Sequence, residues 1–151
     1  MEFRALSGGT ELAFKYCMAE AERQYVVVAF SPQPSLAYFM KGVLDCAGLT
    51  AIAASSNPDE IETLAERARP DAVIYDVSFP FEENWNRLQH LKSRPALSGI
   101  PFVITTSEPQ ELERRVGVST AIELFSRPKD VRQFQSAVKM AIETGAQGHA
   151  A

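Results

Sequence analysis

Five times along this chain a short apolar run rich in β-branched and aromatic residues gives way to a stretch with helical spacing, and that alternation constrains the fold more than any other feature. The first run is Tyr25 to Phe30, ended by Ser31-Pro32-Gln33-Pro34. Behind it, Leu36, Phe39, Met40, Val43 and Leu44 recur three and four apart on one helical face, and Gly48 closes the element. A second run, Thr50 to Ala54, leads to Asn57-Pro58-Asp59-Glu60, where an Asn cap, an early proline and early acids favour helix initiation. Ile61, Leu64, Ala65 and Ala68 form the inner face of that helix, and Pro70 prevents its continuation. The third run, Ala72 to Asp76, ends in a carboxylate and precedes a helix carrying Trp85, Leu88 and Leu91. Pro101 opens the fourth, Phe102 to Thr106, whose helix around Leu112 and Val116 stops at Gly117. The fifth is Ala121 to Phe125, then Ser126-Arg127-Pro128, then a helix capped by Asp130 with Val131, Phe134, Val138 and Ile142 inward.

Parallel neighbours need crossover helices, and right-handed crossovers place these on either face, so the expected architecture is a doubly wound α/β domain with a five-stranded parallel sheet. In such sheets functional groups collect beyond the carboxyl ends of the strands. Here those loops hold Ser31-Pro32, Ser55-Ser56, Asp76 to Pro80, Thr106-Ser107 and Ser126-Arg127-Pro128. No glycine-rich phosphate loop follows the first strand, which removes the main support for a dinucleotide-binding reading.

Composition narrows the function classes. A chain of 151 residues with 46% hydrophobic and 23% charged residues has the make-up of one globular domain rather than a disordered chain. No apolar run reaches bilayer length, and the start, Met1-Glu2-Phe3-Arg4, lacks the basic and apolar stretch of a signal peptide, so a cytoplasmic protein is expected. A net charge of −4 without a dense Lys/Arg cluster argues against nucleic acid and for protein partners. Cys17 and Cys46 lack the short pairing of a metal or redox motif and read as buried or half-buried hydrophobes; His90 and His149 read as solvent-facing or terminal.

Ile74-Tyr75-Asp76 with Pro80 beyond it, Pro101 leading a strand that ends in Thr106-Ser107, and Arg127-Pro128 after the fifth strand resemble, in this register, the two-component response-regulator receiver domain. The likeness covers Tyr25 to about Glu143. It implies a flavodoxin-like receiver fold with strand order 2-1-3-4-5 over residues 25–143. It also implies that Asp76 is the phospho-acceptor position, that Thr106 and Ser107 with Arg127 and Pro128 are the switch and phosphate-contact positions, and that Ser78 offers a backbone carbonyl to a metal.

Three departures accompany it. Where the family ends its first strand with an acidic pair, this chain has Ser31 and Pro32. Mg²⁺ dehydrates reluctantly and is held by carboxylates, phosphate oxygens and water, so Asp76 with the Ser78 carbonyl is expected to bind it weakly if at all, and no other cofactor is expected. Arg127 replaces the family's lysine and, being planar and always charged, suits an internal pair with Asp76. Leu124 stands where the family often has a switching aromatic. The expected function is therefore that of a non-enzymatic pseudo-receiver in phosphorelay signalling. It would contact a histidine kinase, a phosphotransfer protein, a downstream effector or a second copy of itself. The first alternative is a working phospho-acceptor modified on Asp76; the second is a small-molecule-binding flavodoxin-like protein. Simpler structural roles stand beside these: a turn or cap for Asp76, and capping of the next helix by Thr106 and Ser107.

Residues 1–24 form an extension to the family pattern, expected to be a helix capped by Thr10 with Leu12, Phe14, Tyr16, Cys17 and Met18 spread around it. Residues 144–151 are expected to be a flexible tail, too short for an output domain.

Overall fold

A computed structural model describes residues 24–55, 57, 59–123 and 128–150. The expected N-terminal helix, Cys17, Leu124 and Arg127 lie outside the described residues. Strands β1 (Val26–Phe30), β2 (Thr50–Ala54), β3 (Ala72–Asp76), β4 (Phe102–Thr106) and β5 (Ile122–Glu123) form one parallel sheet in the order β2-β1-β3-β4-β5, as the resemblance implies. Helices α1 (Pro34–Cys46), α2 (Asp59–Ala68), α3 (Phe81–Lys92), α4 (Pro109–Val116) and α5 (Pro128–Ala150) connect and cover it. Among the described residues no helix is long and apolar enough to cross a membrane.

Two apolar layers explain why the strands read as continuous hydrophobic runs rather than alternating ones. On one face Val27, Ala29 and Ile74 pack against Met40 and Leu44 of α1 and Phe134, Val138 and Ile142 of α5. On the other, Val28, Phe30, Val73 and Tyr75 meet Ile61 and Ala65 of α2, Leu88 and Leu91 of α3 and Leu112 of α4. Each fully buried aliphatic or aromatic side chain contributes roughly 1.5–3 kcal/mol, so this double layer dominates the stability of the sheet. β3 is central and buried at all five positions, which fixes the residue at its carboxyl end against neighbours on both sides.

Local signals set the element ends. Asn57 Oδ1 accepts from the Asp59 N–H at 3.0 Å, giving α2 its expected cap. Gly117 ends α4 in the left-handed region at φ 78°, a conformation costly for residues with a Cβ.

Three expectations are corrected. The last helix opens at Pro128, so Asp130 lies inside its first turn and is buried rather than preceding the helix as its cap; a proline at the start is already preorganised in φ. The same helix runs to Ala150, across the residues from 144 on where a tail was expected. At Gly145 of that helix an added Cβ would sit 3.2 Å from the Pro101 ring. Cys46 is exposed, not buried or half-buried, since α1 turns its inner face through Met40 and Leu44 instead.

Candidate functional site

The register of the sheet assembles the site. Phe30 pairs with Tyr75, so Ser31 and Asp76, each one residue further on, come side by side as the two strands end. On the other flank Asp76 pairs with Thr105. The Asp76 carboxylate consequently spans three strands: its Oδ2 accepts from Ser31 Oγ at 3.2 Å and its Oδ1 from Thr105 Oγ1 at 3.1 Å. Ser31 Oγ in turn accepts the Gln33 N–H at 3.1 Å, tying the carboxylate to the start of α1. Asp76 is only 2% exposed and Ser31 and Thr105 are fully buried, yet Asp76 reaches an open crevice of about 380 Å³ that Leu36, Phe39, Ser78 and Ser107 also line.

Burial pushes the Asp76 carboxyl up to about 6, against the opposing pull of the hydrogen bonds from Thr105 and Ser31. Removing a carboxylate from water disfavours its charged form, and two neutral hydroxyl donors recover only part of the lost solvation. Next to it, Tyr75 is fully buried, its ring centroid 4.8 Å from that of Phe30, and its hydroxyl has no hydrogen-bond partner among the described residues. Burial, with a smaller contribution from Asp76, pushes that phenol up to about 12.

A divalent ion at this place needs anionic oxygens, and the residues present do not fit one. Ser31 and Pro32 bring no carboxylate, and among the described residues no group of three or more His, Cys, Asp or Glu side chains could hold a metal. The Ser78 carbonyl, expected to face the ion, accepts from Asn84 Nδ2 at 2.7 Å, which uses one of its two lone pairs.

The structure brings together Asp76, Ser31, Ser78 and Ser107 from the sequence reading. Thr106 Oγ1 accepts the Glu108 N–H at 3.2 Å ahead of α4, and the β4 hydroxyl hydrogen-bonded to Asp76 is that of its neighbour Thr105. Pro32 is exposed in the loop after β1, and Pro128 opens α5. Two residues escaped sequence reasoning. Thr105 carried a signal in principle, since a second hydroxyl stands beside Thr106 at the strand end; Asn84 carried none, because an amide inside a helical stretch ordinarily points to water.

No family model matches the chain. It is 25% identical over 122 residues to the protein Rrf1 of Nitratidesulfovibrio vulgaris Hildenborough, covering 81% of this chain and 86% of that protein. Among solved structures, a sensor protein from Polaromonas sp. JS666 superposes with a TM-score of 0.66 at 14% identity, covering 82% of this chain and 99% of the other. The chemotaxis response regulator CheY4 of Vibrio cholerae superposes with a TM-score of 0.56 at 19% identity, covering 77% and 99%. The fold of this chain is that of the response-regulator receivers.

Proposed function

We propose, with the receiver fold as premise, that this chain is a pseudo-receiver: a non-enzymatic signalling module of two-component type that works by protein contact, with little or no Mg²⁺-dependent phosphorylation. The observation that carries this reading is the occupation of Asp76. Both its oxygens are engaged by buried hydroxyls, and the Ser78 carbonyl that would complete an ion's shell already accepts from Asn84. Phosphoryl transfer depends on positioning and on neutralising developing charge, and the described residues around Asp76 supply hydroxyls rather than an anion-backed cation for that purpose. Its partners on this reading are a histidine kinase, a phosphotransfer protein or a downstream effector that recognises the surface of the domain.

One observation favours a second reading, in which Asp76 is a working phospho-acceptor: the residue lines the crevice and so faces a route by which a donor could approach. Incubation with Mg²⁺ and a small phosphodonor, followed by intact mass measurement, separates the two. The unmodified mass is expected; a phosphoryl adduct that disappears in Asp76→Asn would establish the second reading and discard the first.

A further inference from the structure

Among the described residues nothing covers the outward face of α1, which carries two aromatic side chains. Tyr38 is 67% exposed and Phe39 43% exposed, and Gly42, one turn on, has open space where a side chain would stand. Ser35 and Cys46 extend the same face and are also exposed. The first turn of the helix has no acid and the last turn no base. Its two charges, Lys41 and Asp45, lie along one flank and bond to each other at 2.6 Å. Isolated exposed apolar side chains are ordinary, but two aromatics beside an empty position on one helical face make a knob and a hole.

We infer that this face pairs with its own counterpart on a second copy of the chain, the two α1 helices packing antiparallel about a two-fold axis near Gly42. The pattern is self-complementary in both shape and charge. An isologous antiparallel contact centred there lays the Tyr38 and Phe39 end of one helix against the Cys46 end of the other, with Gly42 letting the backbones approach. It also preserves the flank, so that Lys41 of one copy meets Asp45 of the second and Asp45 meets Lys41; a parallel pairing about an axis along the helices would put the two charged flanks on opposite sides, where neither contact forms. A helix of 13 residues is about 20 Å long, so the contact falls below the size of standard interfaces and the dimer is weak and reversible. The inference holds whether or not Asp76 accepts a phosphoryl group.

Sedimentation velocity of the full chain from micromolar to millimolar concentration tests it. A monomer-dimer equilibrium is expected, weakened at least tenfold by Tyr38→Glu with Phe39→Glu while the circular dichroism of the fold is kept. Lys41→Asp alone and Asp45→Lys alone each weaken self-association about fivefold, the combined effect of two exposed ion pairs turned repulsive. An equimolar mixture of those two variants recovers dimerisation, because in the mixed pair one copy carries two acids on this flank and the other two lysines, and both contacts across the axis are again attractive. A chain that stays monomeric throughout overturns the inference and leaves the face to another protein. So does a dimer untouched by the aromatic replacements, or a mixture that associates no better than its components.

Discussion

Replacing Asp76 by asparagine isolates the cost of holding a carboxylate between β1 and β4. The carboxyl titrates near 6 in the folded protein against 3.8 for the ordinary side chain, and burial is the first cause. Each pKa unit corresponds to about 1.4 kcal/mol, so the ionised side chain lowers folding stability by about 3 kcal/mol once the pH exceeds 6. The sign follows from proton counts. Between pH 3.8 and about 6 the folded chain holds a proton at Asp76 that the unfolded chain has released, so stability is fully present below that window and is lost as pH rises through it. Asparagine does not titrate, and every other group is common to both proteins. Urea denaturation of the wild type and Asp76→Asn at matched pH values therefore yields a difference whose pH dependence belongs to this one site. The expected result is that Asp76→Asn gains about 2 kcal/mol relative to wild type between pH 4 and pH 7, the rest of the effect lying below pH 4, whatever the intrinsic fit of the amide. A difference that stays flat, or one that moves the other way as for a carboxylate held by a cation, would refute the burial argument.

Removing the hydroxyl in Thr105→Val leaves the buried carboxylate one donor short; a loss of roughly 1–3 kcal/mol at pH 7 by urea denaturation is expected, shrinking at pH 4. Thr106→Val removes the acceptor for the Glu108 N–H instead, and should cost about 1 kcal/mol at both pH values. Tyr75→Phe deletes a buried hydroxyl without a partner among the described residues, so thermal unfolding should be unchanged or shifted upward. Leu88→Ala opens a cavity under α3 and should cost about 2–5 kcal/mol in the same assay.

The elements were legible because helix and strand periods differ and because prolines and glycines mark their ends: Asn57 starts α2 and Gly117 ends α4 as the sequence indicates. The position of Asp76 was legible for the same reason, as a charged residue closing an apolar run. What it touches was not. Thr105 faces the carboxylate because β4 pairs with β3 in one register, and a shift of one residue would present the other strand face; nothing within either segment states that register. Asn84 is buried because the first turn of α3 lies back over the loop after β3, so that its amide reaches the Ser78 carbonyl six residues earlier; the path of that loop, which the residue types do not state, decides this.

A hydroxyl at position 31, where the resemblance implies an acid, sets the electrostatics of the site in two ways at once. A carboxylate at that place would repel Asp76 at close range and require a cation to offset the repulsion, whereas a hydroxyl removes the like charge and supplies a donor of its own. With Thr105 on the opposite side, the pocket then satisfies one carboxylate using neutral groups alone. Those groups are too weak to restore the full solvation of the ion, which is why the carboxyl titrates upward rather than downward despite two hydrogen bonds. An added carboxylate at position 31 should therefore push Asp76 higher still without a cation, and NMR titration of the Asp76 side chain in Ser31→Asp reads that directly. A midpoint below that of the wild type in metal-free buffer would mean that a positive group already compensates the site.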